Sequence, residues 1–114
     1  MKRLLVAICS VCAIVAFAGR ASAQDKVAKG KQVFADQKCS MCHSIEGKGN
    51  PKGSLDGVGT KYGADDLRKW ITEPAAMAAK TKADRKPAMP AKYASLPKDD
   101  IDALVAYLET LKKK

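Results

Sequence analysis

Histidine is almost missing from this chain: His43 is the only one among 114 residues. Aromatic side chains make up 5% of the sequence, and the lysines stand scattered instead of forming the aromatic-interleaved basic surface that a nucleic-acid binder uses. Six of the eight glycines crowd between Gly47 and Gly63, yet their spacing matches neither a Rossmann nor a P-loop pattern. There is no internal repeat and no convincing strand alternation, which leaves helices and loops. No apolar run reaches the roughly 20 residues that a helix needs to span a bilayer. The longest, Leu4 to Ala18, follows Lys2 and Arg3 and precedes Ala21-Ser22-Ala23. A charged start, an apolar middle and a small-residue A-x-A site together mark a secretory signal peptide and not an anchor.

Cleavage after Ala23 is therefore expected. It divides the chain into a signal peptide, residues 1–23, and a single domain, residues 24–114, of 91 residues and modest core. Nothing after Ala23 is apolar enough to form a second membrane segment. Cys9 and Cys12 leave with the signal peptide, and the bulky Ile8 and Val11 before them do not suit a lipidation site. Of four cysteines, Cys39 and Cys42 remain. Loss of Lys2, Arg3 and Arg20 lowers the formal charge from +9 to +6, so the mature protein stays basic. A basic surface of this kind serves solubility or steers the protein toward an acidic partner or membrane face.

Within the mature chain, Val27, Val33, Phe34 and Ala35 predict a short helix over residues 27–38 with one buried face. The glycine-rich segment 47–63, with Asn50 and Pro51, reads as a loop. Asp65, Asp66, Leu67, Trp70 and Ile71 predict a second helix, acidic at its start where the helix dipole favours negative charge and stopped before Pro74. A lysine-rich stretch with prolines, residues 80–98, follows. Ile101, Leu104, Val105, Leu108 and Leu111 then fall on one helical stripe, with Asp99 and Asp100 at its start and Lys112 to Lys114 at its end. The expected fold class is all-α, with short helices and long loops that need something to pack around.

Cys39-Ser40-Met41-Cys42-His43 is C-x-x-C-H, the attachment sequence of a c-type haem. Two thiols at this separation can each add to one haem vinyl group, while the adjacent imidazole comes under the iron. A structural zinc site would need a fourth ligand, and the mature chain offers no further Cys or His. A thioredoxin-like redox pair would need a βαβ context that is missing. The single histidine also excludes bis-histidine ligation within one chain. A methionine is then the obvious internal ligand for the sixth iron position. Met41 lies inside the attachment loop and cannot reach the opposite face. Met77 sits in an alanine-rich stretch where a flexible apolar filler is the ordinary explanation. Met89 stands between Pro87 and Pro90, which restrict the backbone, and it is the favoured distal ligand over Met77 or an open position.

With these features in this order, the chain resembles the class I c-type cytochromes, monohaem bacterial cytochromes c. The resemblance rests on C-x-x-C-H near the N-terminus, Leu55-Asp56-Gly57, Trp70-Ile71, Met89-Pro90 and Tyr107-Leu108. It implies the cytochrome c fold wrapped around one covalently attached haem, with Cys39 and Cys42 as thioether positions, His43 as proximal ligand and Met89 as distal ligand. It also implies that the terminal helices cross closely through Gly30, Phe34, Leu104 and Tyr107. Family members often present a proline carbonyl to the proximal imidazole; here Gly53 and Ser54 precede Leu55, and the acceptor is left open. Trp70 resembles a residue that often lies near a haem propionate, with a core indole as the equal alternative.

The expected role is a periplasmic electron carrier and not an enzyme, monomeric, cycling one haem iron between ferrous and ferric states and docking on redox partners with an acidic surface. The alternatives are a permanent haem subunit of an oxidoreductase complex, or a ligand-binding or peroxidase-like haem protein with a labile distal Met.

Overall fold

The stripe of Ile101, Leu104, Val105 and Leu108 gives helix α5 (Lys98–Glu109) one face that water disfavours, and all four side chains are at most 8% exposed. The computed structural model describes residues 22–113. The rest of the core gathers on α5. Helix α1 (22–36) contributes Val33, and helix α3 (Ala64–Thr72) contributes Leu67 and Ile71, one turn apart on the same face and each 2% exposed. Between them lie helix α2 (Val58–Lys61) and, after α3, helix α4 (Pro74–Thr81). The only sheet among the described residues pairs β1 (Ser44–Ile45) with β2 (Lys48–Gly49), antiparallel, with Ser44 opposite Gly49. Three 3-10 turns complete the chain, at Cys39–Met41, Pro51–Gly53 and Ala91–Ser95. The fold is the expected all-α arrangement of short helices and long loops.

The structure departs from the sequence reading at several places: α2 and β2 fall inside the segment 47–63 read as a loop, and α5 ends at Glu109, so that Leu111 and the terminal lysines lie beyond it; two further differences lie in α1 and α4. Among the described residues helix α1 already covers 22–26, ahead of Val27; these residues are exposed and so leave no apolar periodicity to read, although Ala and Gln favour helix. It ends before Lys38, whose backbone turns left-handed (φ 55°, ψ 38°) and aims the chain into Cys39. Helix α4 is the other difference. Pro74 does close α3, but it also opens a new helix at the first helical position, where its missing N–H costs nothing. The predicted signal peptide up to Ala21 lies outside the described residues, and Ser22 and Ala23 belong to α1.

The crossing of α1 and α5 depends on Gly30. A Cβ at this buried position would overlap the Ala103 carbonyl and the Cβ of Tyr107. One turn on, Phe34 meets Tyr107 edge to face, with ring centroids 6.0 Å apart. The C-terminal tail closes the opposite side: the Gly59 amide donates to the Leu111 carbonyl at 2.9 Å, Lys112 Nζ donates to the Gly59 carbonyl at 2.9 Å, and the Lys113 amide donates to Thr60 Oγ1 at 2.8 Å. Asp102 on α5 receives Arg68 of α3 at 2.6 Å and Lys98 at 2.8 Å, and so ties the two central helices together.

Two predictions follow from this packing. Helix propensity alone would make Gly30→Ala stabilising by about 1 kcal/mol. The overlap with a backbone carbonyl forces the helices apart instead, at the upper end of the ~1–3 kcal/mol cost of overpacking. The expected net effect is a fall in melting temperature of roughly 10 °C, and a rise would show that α1 and α5 do not approach through Gly30. The second concerns acid. Hydrogen bonds from Lys98 and then Arg68 hold the Asp102 carboxyl below its ordinary range. A depressed folded-state value gives stability that is complete above the unfolded carboxylate range, near pH 4, and is lost as pH falls through the lower folded value. Asp102→Asn should therefore flatten the acid limb of the stability profile below pH 4, and an unchanged slope would count against the pair.

Candidate functional site

The attachment turn is built by one carbonyl. Cys39 O accepts the amides of Cys42 at 3.1 Å and His43 at 2.9 Å, which coils Cys39-Ser40-Met41-Cys42-His43 into a tight 3-10 turn. The turn brings both thiols and the imidazole together. Cys39 and Cys42 are half-buried and unbridged. Burial pushes the Cys39 thiol above its usual range, so it stays protonated. Met41, between them, is 70% exposed and points away from any buried position.

Asn50 holds the turn from outside. Its amide donates to both Ser40 O and His43 O at 3.1 Å, its Nδ2 donates to Met41 O at 3.2 Å, and its Oδ1 accepts the Lys52 amide at 3.0 Å. Gly49 beside it has φ 111°, and a Cβ there would collide with the His43 carbonyl, so only glycine lets β2 lie this close.

His43 Nδ1 lies 3.0 Å from the Gly53 carbonyl. A carbonyl can only accept, so Nδ1 carries the proton and Nε2 keeps a free lone pair. This answers the question left open by the sequence: Gly53, not a proline, orients the imidazole. Burial, offset by the Gly53 hydrogen bond and reinforced by the Arg85 charge, holds the His43 pKa below its usual value and favours the neutral ring. A neutral imidazole with Nδ1 tied to a carbonyl is the form in which histidine binds a metal through Nε2.

Arg85 brings a distant loop to this turn. Its Nη1 donates to the Cys42 carbonyl at 2.6 Å. Met89 lies four residues further along the same irregular segment, half-buried between Pro87 and Pro90, and the 3-10 turn Ala91–Ser95 starts immediately after Pro90. Burial, and after it the nearness of Cys39 and Cys42, pushes the phenol of Tyr93 in that turn above the ordinary range. Met77 is 3% exposed within α4, the behaviour of a packed filler. Trp70 stacks edge to face on Tyr62 with centroids 6.3 Å apart, and its Nε1 is a buried donor with no partner among the described residues.

Sequence reasoning found Cys39, Cys42 and His43 as one cluster. It missed Asn50 and Arg85, and it left Gly53 undecided. Asn50 carried a signal only as a loop former, and Arg85 carried none, because its contact spans 43 positions of sequence.

The donor set fits a covalently held haem. Two unbridged thiols and a neutral imidazole with one free nitrogen share a turn, and an orphaned indole N–H waits for an acceptor such as a carboxylate. Comparison with known proteins points the same way. A cytochrome c oxidase subunit 2 from Alkalihalophilus pseudofirmus is 29% identical over 96 residues, covering 74% of this chain and 25% of its own length. This chain thus spans about a quarter of that relative. No solved structure matches. Residues 27–112 match the family model of cytochrome c, three quarters of the chain and every element from the attachment turn to the end of α5. The chain belongs to the cytochrome c family, and with that membership come a covalently bound haem c and the haem-based electron transfer it performs.

Proposed function

We propose that this protein is an exported, periplasmic electron carrier of the class I kind, matured by removal of residues 1–23. Cys39 and Cys42 would form the two thioethers, His43 Nε2 would bind the iron on one side, and Met89 would bind it on the other. The observation that carries this reading is the hydrogen bond from His43 Nδ1 to Gly53 O, which engages Nδ1 and leaves Nε2 as the nitrogen with a lone pair for a metal. Bound haem supplies a one-electron ferric/ferrous couple, and a thioether ligand is one of the levers that raises its potential. The chain's own contribution is to orient the imidazole, fix Met89 between two prolines, and offer Trp70 Nε1 to a haem propionate. If His43 and Met89 both held the iron, substrate would have no open place on it, which would suit electron transfer without catalysis.

A second reading is supported by the oxidase subunit 2 similarity: the same domain could be a permanent part of an oxidoreductase complex. Native co-purification separates the two. A carrier comes away alone, whereas a subunit comes with its complex. Among the described residues no helix is long and apolar enough to cross a membrane.

Replacement of Met89 by Ala should abolish the thioether-to-iron charge-transfer band at the red end of the ferric spectrum, lower the reduction potential and admit cyanide or carbon monoxide, while covalent haem remains. Met77→Ala is the control and should leave the spectrum and the potential nearly intact at a stability cost of about 2–5 kcal/mol. The opposite pattern would move the ligand to α4. Partner association should slow as ionic strength rises, because screening shortens attraction to about 8 Å at physiological salt. A rate flat or rising between low and moderate salt would remove the acidic partner that the mature charge of +6 suggests.

A further inference from the structure

Arg85 differs from the other basic residues in where its charge is spent. It is half-buried, and its guanidinium fills the space beside Gly53 where a side chain would otherwise stand. That space exists only because residue 53 is glycine. The guanidinium also donates to the Cys42 carbonyl at 2.6 Å. The Cys42 carbonyl and the His43 amide belong to one peptide unit, whose N–H is already held by Cys39 O at 2.9 Å. Arg85 therefore fixes the other end of the same unit. Gly53, beside whose Cα the guanidinium packs, supplies the carbonyl that accepts from His43 Nδ1. One cation thus bonds to one of the backbone groups that set the position of the imidazole and packs beside the residue that supplies the other.

A charge placed there acts on the iron's preference as well as on the histidine's position. Oxidation adds one positive charge to the site, and a neighbouring cation opposes it, most strongly where burial limits screening. A guanidinium does not deprotonate at any working pH, so the bias is constant. The cation also contributes to keeping the imidazole neutral, after the larger effect of burial.

We propose that Arg85 is the positioning residue of the proximal histidine and holds a fixed positive charge beside it that favours the reduced iron; this rests on His43 being the proximal ligand. Arg85 acts through Cys42, Gly53 and His43.

The test compares Arg85→Gln and Arg85→Lys with the wild type as holoproteins, each shown by denaturing mass spectrometry to carry covalent haem. Arg85→Gln should shift the ferric/ferrous equilibrium toward ferric by about tenfold, the scale of one partly screened charge. For one electron that is a midpoint about 59 mV lower. Arg85→Lys keeps the charge but loses the planar fork, and should keep most of the potential. Exchange of the His43 Nδ1 proton, followed by NMR, should quicken in both variants as the Gly53 acceptor loosens. Equal falls in potential for Lys and Gln would reduce Arg85 to a structural brace and overturn the proposal, as would an unchanged potential and exchange rate in Arg85→Gln. If Arg85→Gln fails to mature, Arg85→Lys decides: faster exchange at near wild-type potential supports the proposal, and no change in exchange overturns it. A wild type without covalent haem overturns this proposal together with the ligand assignment, whereas loss of the Met89 assignment alone leaves it standing.

Discussion

A neutral imidazole has one proton and two nitrogens, and the nitrogen that keeps the proton cannot bind metal. In this chain the choice is made by the Gly53 carbonyl, 3.0 Å from Nδ1. The surrounding structure serves to hold donor and acceptor in place. The Cys39 carbonyl coils the attachment turn, Asn50 ties that turn to the hairpin and to the segment leading to Gly53, and Ser44 O accepts the Leu55 amide at 2.8 Å so that the strand and the next loop run side by side. With a single histidine in the chain, no second imidazole can compensate if this arrangement fails.

The helices provide the frame against which these loops are fixed. Helix α5 is the common surface: α1 crosses it at Gly30, α3 packs on it through Leu67 and Ile71, and α2 is clasped between it and the C-terminal tail. The buried apolar residues concentrate there, so the loops that carry Cys39 to Gly53 and Arg85 to Met89 contribute few buried side chains of their own. Those loops are ordered largely by hydrogen bonds. Such bonds contribute about 1 kcal/mol each in net terms, and an apolar cofactor between the loops adds the burial that they lack.

How much of this could be read from the sequence depended on how local each signal was. The C-x-x-C-H cluster, the stripe of α5 up to Leu108 and the Leu67–Ile71 face are contiguous or periodic; the first lies in one turn, and the two apolar faces lie in the core. The Gly30 to Tyr107 approach was legible only through family resemblance, since a glycine within a helix gives no hint of its partner. Helix α4 was hidden by Pro74, which ends one helix and starts another, and by an alanine-rich composition with little apolar contrast. Arg85 was illegible for a different reason. Among the basic residues nothing in the sequence marks it, and its significance depends on the missing side chain of Gly53, far away in the chain.

The separation in sequence between these contacts has a consequence for the order of assembly. Apart from the Arg85 bond to Cys42, the bonds that shape the attachment turn join residues between Lys38 and Leu55, close neighbours whose loops cost little entropy to close. The crossing of α1 on α5 joins Gly30 to Ala103, and can form only after nearly the whole chain has emerged. As the chain is delivered from its N-terminal end, the paired thiols and their histidine can therefore take up their mutual geometry on a nascent strand before α5 has followed. The reactive sulfurs are then open to bond formation from every side, before the frame that later encloses them exists.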